Sequence, residues 1–150
     1  MIVRESTHRA SLLSQHRATI GVRIPMLISS LGRAWLSWCA EDEREANLGI
    51  LRQRNDAIGE VARNTAHVKQ MIRQTRRRGY AVNHGEWGLG VTGVSAIGLP
   101  IKVGEHAIGA INLVMQGQLV TEREAAVKYV PLLRRLAQEI SSGVAELSLE

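Results

Sequence analysis

Between Gly93 and Met115 the chain reads as two β-rich segments, GVSAIGLPIKV and HAIGAINLVM, parted by a turn at Gly104. Nothing else in the sequence narrows the fold as much. A turn this short joins its flanking strands side by side and antiparallel, so the pair is a β-hairpin. A sheet built on that hairpin has to bury a face, and the rest of the chain offers helices to cover it.

Those helices are marked by their ends. In SSLGRAWLSWCA, Ser29 or Ser30 is placed to cap a helix whose apolar face is Leu31, Ala34, Trp35 and Trp38. EDEREANLGILRQR, residues 41 to 54, is acidic at its start and basic at its end, which suits the helix dipole, with Asp42 and Glu45 as a capping pair. A third helix is expected from Val61 to Arg78, with Val61, Val68, Met71 and Ile72 as its stripe. The last helix opens on TERE, where Thr121 and Glu124 form a capping box. Its stripe runs through Val127, Val130, Leu133, Leu136, Ala137, Ile140, Val144 and Leu147, with a local kink expected at Pro131. Residues 2 to 8 have strand character, and Gly21 to Met26 is extended because Pro25 disfavours helix at Ile24. GYAVNH is a short strand. The expected fold is α+β, an antiparallel sheet flanked by helices.

A chain of 150 residues suits one domain, and 45% hydrophobic with 22% charged residues suits a globular one. No uncharged stretch is long enough for a membrane helix. The start, MIVRESTHRAS, carries charge where an export signal needs an apolar core. The single cysteine, Cys39, has no internal disulfide partner, and a reducing cytoplasm is the expected setting.

The net charge of +5 favours anionic partners. Without Phe, and with three Trp and two Tyr, the chain has few rings on which to stack bases. The run Arg76-Arg77-Arg78 falls in the last turn of the third helix and is followed by Gly79, which is a helix stop signal. No helix-turn-helix pattern or zinc-finger spacing surrounds it. It reads as a cationic helix end rather than a grip on DNA.

Reactive motifs are missing: there is no nucleophile elbow, phosphate-binding loop or HExxH. Asp42 and Asp56, the only aspartates, fall in surface helix. Cys39 follows Trp38 on a helix and reads as a buried, inert thiol. His84 and Glu86 are two ligand types where structural zinc takes four, so neither a metal nor a cofactor is expected. Glu86 stands out for another reason. Between Val61 and Thr121 the only acids are Glu86 and Glu105, and Glu86 sits in the glycine-rich run HGEWGLGVTG. Such a loop either shapes a pocket lid or links two elements.

Five runs occur in an order that resembles the effector-binding domain of the IclR-type bacterial transcription regulators. They are VRESTHR (3–9), RIPMLISSLGRAWLSW (23–38), TRRRGYAV (75–82), VSAIGLPIKVGEHAIGAINLV (94–114) and KYVPLLRRLAQEI (128–140). Within the family the chain most resembles activators of aromatic-acid breakdown, of the hydroxyphenylpropionate-regulator type. The resemblance implies a GAF-like fold that binds a small metabolite and assembles as a homodimer or homotetramer. It also implies that DNA is read by an N-terminal winged-helix domain that would precede Met1 and is absent from this chain.

By the same resemblance, Ile24, Ser30 and Leu31 lie at the ligand pocket, and Glu86 falls where the family often carries an acid. Ala96 falls where many members have cysteine, and Asn112 and Val114 fall where serine is common. These departures point away from a small oxo acid and towards a different or larger carboxylic acid, with aromatic acids favoured. Free N–H groups at Ser30 to Gly32 suit a carboxylate at a helix N-terminus. Glu86 suits a ligand hydroxyl as hydrogen-bond acceptor, and Asn112 suits either group. Ile24, Met26, Leu31, Ala96 and Val114 would pack on a ring, or are simply core. Two rivals to the ligand sensor stay open: an oligomerisation module without a functional small-molecule site, and a small enzyme on the same scaffold.

Overall fold

The computed structural model describes residues 1–7, 20–85, 94–116 and 121–147. Five helices and three strands follow in the order α1 (Ser30–Trp38), α2 (Glu41–Arg52), α3 (Ala57–Arg63), α4 (Thr65–Arg78), β1 (Ala81–Asn83), β2 (Val94–Val103), β3 (His106–Gln116) and α5 (Glu122–Leu147). The strands form one antiparallel sheet in the order β1-β2-β3. Its centre is the expected hairpin, turning at Gly104, whose φ of 59° is left-handed and suits glycine.

The sheet separates two layers. On one face, Ile97 and Leu99 of β2 pack with Ala125, Val130 and Leu133 of α5, joined by Ile111, Leu113 and Met115 of β3. Against the other face lies α1, and behind α1 a second core of Met26, Leu27, Leu36, Leu48, Ala62 and Val68 ties it to the remaining helices. Helix α1 is therefore covered on both sides. This corrects its expected single apolar face: Leu36 and Ala34 are fully buried, whereas Leu31, Trp35 and Trp38 are half-buried.

Helix ends follow local chemistry. The stop after the arginines is as read: Gly79 has φ 79° and its N–H donates to Thr75 O. The capping box also forms, with Glu124 N donating to Thr121 Oγ1 at 3.2 Å and Thr121 N donating to Glu124 Oε2 at 2.9 Å. Two other readings are corrected. Helix α2 starts after Ala40 with no side-chain cap, so Asp42 lies inside its first turn and acts on the dipole rather than as a cap. The expected third helix is two helices broken at Asn64, whose side chain accepts from His67 N at 3.1 Å. An Asn that bonds its own backbone competes with helix continuation. Asp56 is the N-cap of α3, not a residue within a helix, and accepts from Gly59 N at 3.0 Å.

Two long-range expectations are also revised. The strand expected over residues 2 to 8 is, within its described part, a single bridge between Ile2 and Arg23 in the otherwise extended segment before Met26. Helix α5 runs unbroken through Pro131, but its stripe is only partly buried. Val130, Leu133 and Ala137 face the sheet, while Val127, Leu136, Ile140 and Leu147 are exposed.

Candidate functional site

The site begins with the turn that feeds α1. Pro25 keeps Ile24 out of helix, and Ser29 then closes the turn: its Oγ donates to Pro25 O at 2.7 Å and accepts from Gly32 N at 3.0 Å. That cap uses the N–H of Gly32, so the expected anion-binding set shrinks by one. Among the described residues no acceptor meets the N–H of Ser30 or Leu31, and these two remain at the N-terminus of α1. Arg33 pins the turn in place, with Nε donating to Leu27 O at 2.9 Å and Nη1 to Val82 O at 2.7 Å. Its guanidinium therefore serves backbone carbonyls of the turn and of β1.

Two glycines let this turn sit close to its neighbours. A Cβ at Gly32 would lie 2.2 Å from Met26 Cα, and one at Gly98 would lie 2.5 Å from Ser30 O. A side chain at Gly32 would push the start of α1 off the preceding turn, and one at Gly98 would push α1 away from the sheet. With glycine at 98, Ser30 reaches across to β3, and Asn112 Nδ2 donates to Ser30 Oγ at 3.5 Å, a long hydrogen bond.

Strand register gathers the rest. Ala81, Gly98 and Asn112 are cross-strand partners, and so are Asn83, Ala96 and Val114. Directly paired residues share a face, and Gly98 and Asn112 both meet Ser30, so both rows face α1. Ser30, Ala96, Asn112 and Val114, four of the residues named from sequence, thus lie where the start of α1 meets the sheet, and Leu31 follows Ser30 in the first turn of α1. Ile24 is buried on the approach to the turn, its N–H donating to Met1 O. Met26 is placed in the helical core, packed with Leu27 and Leu36. Glu86 lies outside the described residues.

The site grades from closed to open: Ser30 and Ala96 are buried, Leu31 and Asn112 are half-buried, and Val114 is 46% exposed. Its polar groups are two backbone N–H groups, a hydroxyl and an amide. Such a set can hold a carboxylate or a carbonyl by hydrogen bonds and lay an apolar body along Leu31, Ala96 and Val114.

Sequence reasoning missed Asn83. It is only 3% exposed, stands in the row with Ala96 and Val114, and accepts from Gly85 N through Oδ1 at 2.8 Å. The signal was a polar residue closing a strand-like run, Tyr80 to Val82. His84 points elsewhere, with Nε2 3.1 Å from Glu122 Oε2. Glu122 also accepts from Arg78 and Tyr80, so β1 is tied to the start of α5. No group of three or more metal-ligating side chains occurs among the described residues. Burial pushes the Cys39 thiol up to about 11, which keeps it protonated and a poor nucleophile at neutral pH. Arg76 donates to Ser37 O on α1 and Arg78 pairs with Glu122, so two of the three arginines hold the fold together.

A family described as the bacterial transcriptional regulator IclR C-terminal domain matches residues 2–142. The chain belongs to this IclR family. Its domain is regulatory and non-enzymatic, which removes the enzyme alternative. Solved structures share the fold. An IclR family transcriptional regulator from Brucella abortus is 25% identical over 86% of this chain and 48% of its own, with a TM-score of 0.68. A protein of Rhodococcus sp. RHA1 assigned as a transcriptional regulator is 24% identical over 91% of this chain and 53% of its own, also at 0.68. The inducer binding domain of PobR from Acinetobacter, a double mutant in complex with 3-hydroxy benzoic acid, is 23% identical over 87% of this chain and 76% of its own, at 0.63. The chain spans about half the length of the first two. Among the described residues no helix is long and apolar enough to cross a membrane.

Proposed function

We propose that this IclR effector-binding domain senses a small carboxylic acid, with aromatic acids the favoured class. The observation that carries this is the start of α1, where the N–H groups of Ser30 and Leu31 meet no acceptor among the described residues and Ser30 meets the Asn112 amide, on the sheet face that carries Ala96 and Val114. The carboxylate would sit on the N–H groups, and the ring would lie between α1 and the sheet. Alanine at 96 and valine at 114 widen the apolar wall, which favours a ring over a short oxo acid. The PobR relative, whose inducer binding domain holds 3-hydroxy benzoic acid, supports the same class. In this reading Glu86 accepts from a ligand hydroxyl. The effector shifts the arrangement of a homodimer or homotetramer, and a winged-helix domain outside this chain reads the DNA. The effector must bind one arrangement better than the other, and such coupling is typically about 1–3 kcal/mol.

The test is a thermal-shift screen of aromatic and oxo acids, followed by calorimetry on any hit. A hydroxylated aromatic acid should raise the melting temperature. Asn112→Leu should weaken its binding about two- to tenfold, as expected for one lost neutral hydrogen bond. Silence across both acid classes would favour an assembly module with no small-molecule site.

A further inference from the structure

Helix α4 carries more positive charge than the fold uses. Its sequence, TAHVKQMIRQTRRR, has one lysine, four arginines and no acid. Two of these cations serve the fold: Arg76 donates to Ser37 O, and Arg78 pairs with Glu122. Lys69, Arg73 and Arg77 remain, and all three are exposed. Spaced by four residues, they fall within about 80° of one another and nearly opposite the buried Val68 and Thr75. Among the described residues none of the three meets an acid, whereas Arg44, Arg52, Arg54 and Arg135 each do. This column works against the helix, because like charges four residues apart repel. The helix dipole favours a cation in the last turn, which accounts for Arg77 but gives nothing to Lys69 or Arg73. Helix α5, by contrast, mixes its cations with Glu122, Glu124, Glu139 and Glu146.

We propose that the Lys69–Arg73–Arg77 column lies against the phosphate backbone of duplex DNA and holds it without reading its sequence. What the face lacks selects the partner. A protein partner is anchored by apolar or aromatic side chains at the centre of its interface, and the only other side chain within this arc is that of Ala66. A single strand needs rings on which to stack its bases, and α4 has none. A membrane surface takes up the apolar face of a helix, and that face of α4 is spent on the core, where Val68 packs with Leu36 and Leu48. Phosphate contacts need only cations, and interfaces with DNA are more polar and far more positive than those between proteins. The column is about 12 Å long. One strand of a duplex carries a charge about every 3.4 Å along its axis, so three phosphates lie within its reach. The chain belongs to a family of transcription regulators, so a duplex is at hand. This contact adds backbone grip to the sequence reading proposed for the winged-helix domain, and it does not depend on the effector.

Fluorescence anisotropy of a labelled duplex, titrated with the chain across a salt series, tests the proposal. The native chain should bind at low salt, with equal affinity for two duplexes of unrelated sequence. The logarithm of its affinity should fall linearly with the logarithm of the salt concentration, each phosphate contact contributing about 0.9 to the slope. Lys69→Gln with Arg73→Gln should therefore make the slope shallower by about 2, and adding Arg77→Gln by about 1 more. Arg73→Lys keeps the charge and should keep the slope. Lys128→Gln with Arg135→Gln, exposed cations of α5, removes as much charge as the first pair and should leave the slope almost unchanged. No binding at low salt overturns the proposal. So does an equal change in slope for the two pairs, which would mean that net charge alone attracts the duplex. A polyglutamate chain that competes with the duplex at equal charge concentration would assign the face to an acidic polypeptide and overturn it too. A strong preference for one duplex sequence does the same, since phosphate contacts carry no base information.

Discussion

The two faces of the sheet are built to different rules. Against α5, β2 and β3 present Ile97, Leu99, Ile111, Leu113 and Met115, and the helix answers with Ala125, Val130 and Leu133. Against α1 the same strands present Ala96, Gly98, Asn112 and Val114, and the helix answers with Ser30. The first face excludes water with bulk. The second brings backbone close with glycine and leaves polar groups beside a half-open apolar wall. Strand alternation lets one hairpin do both, because residues one apart point to opposite faces. Burial on the α5 face stabilises the fold, and the α1 face is where we propose the effector binds.

The comparison breaks most visibly at its apolar side. Ile97, 1% exposed, should lose about 2–5 kcal/mol of stability when changed to alanine, measured by urea unfolding, with little effect on effector affinity once refolded. A loss of affinity without a loss of stability would mean the faces are not separate. Gly98→Ala should destabilise by about 1–3 kcal/mol because its methyl meets the Ser30 carbonyl. Unlike the first change, it should also abolish effector binding by moving α1 off the sheet, so calorimetry beside the unfolding curve distinguishes the two. Ser29→Ala removes the α1 cap and should cost about 1 kcal/mol. It also releases the Gly32 N–H, so a carboxylate ligand should bind no worse than the stability loss implies.

The smallest effect lies off the sheet and serves as a control. The Arg54 guanidinium, with the Gly59 N–H, holds Asp56 from the ordinary 3.8 down to about 2. A carboxyl depressed on folding stabilises above its unfolded pKa, and that contribution is lost as the pH falls through the folded value. The α3 cap should therefore weaken between about pH 4 and pH 2. Asp56→Asn should flatten this part of the stability profile and leave both faces of the sheet unaffected, as circular dichroism across an acid series would show.

Local chemistry made much of the fold legible. The hairpin, the Gly79 stop, the Thr121–Glu124 box and the serine cap of α1 each depend on residues within a turn of one another, and the structure contains each of them. Ala96, Asn112 and Val114 were named through the family pattern alone, and the strand register sets them on one face of the sheet. What stayed hidden depends on contacts distant in the chain, with one local exception. Asn64 breaking one helix into two was available locally and was overridden by an apolar stripe that continued across it. Leu36, by contrast, is buried because α1 has cover on two sides, which no period within its own nine residues can report.

The site divides the same way. Sequence alone determined that a turn ending in serines would start a helix with unpaired N–H groups, since capping is set by neighbouring residues. Only the tertiary structure decided that this start faces Gly98 and Asn112 rather than solvent. It placed Asn83 in the same row and Met26 in the core behind, and it left half of the α5 stripe uncovered. Apolar periodicity says which residues are able to be buried. What buries them is set by elements that meet only when the chain closes on itself, and the sheet has room for one stripe of α5, not two.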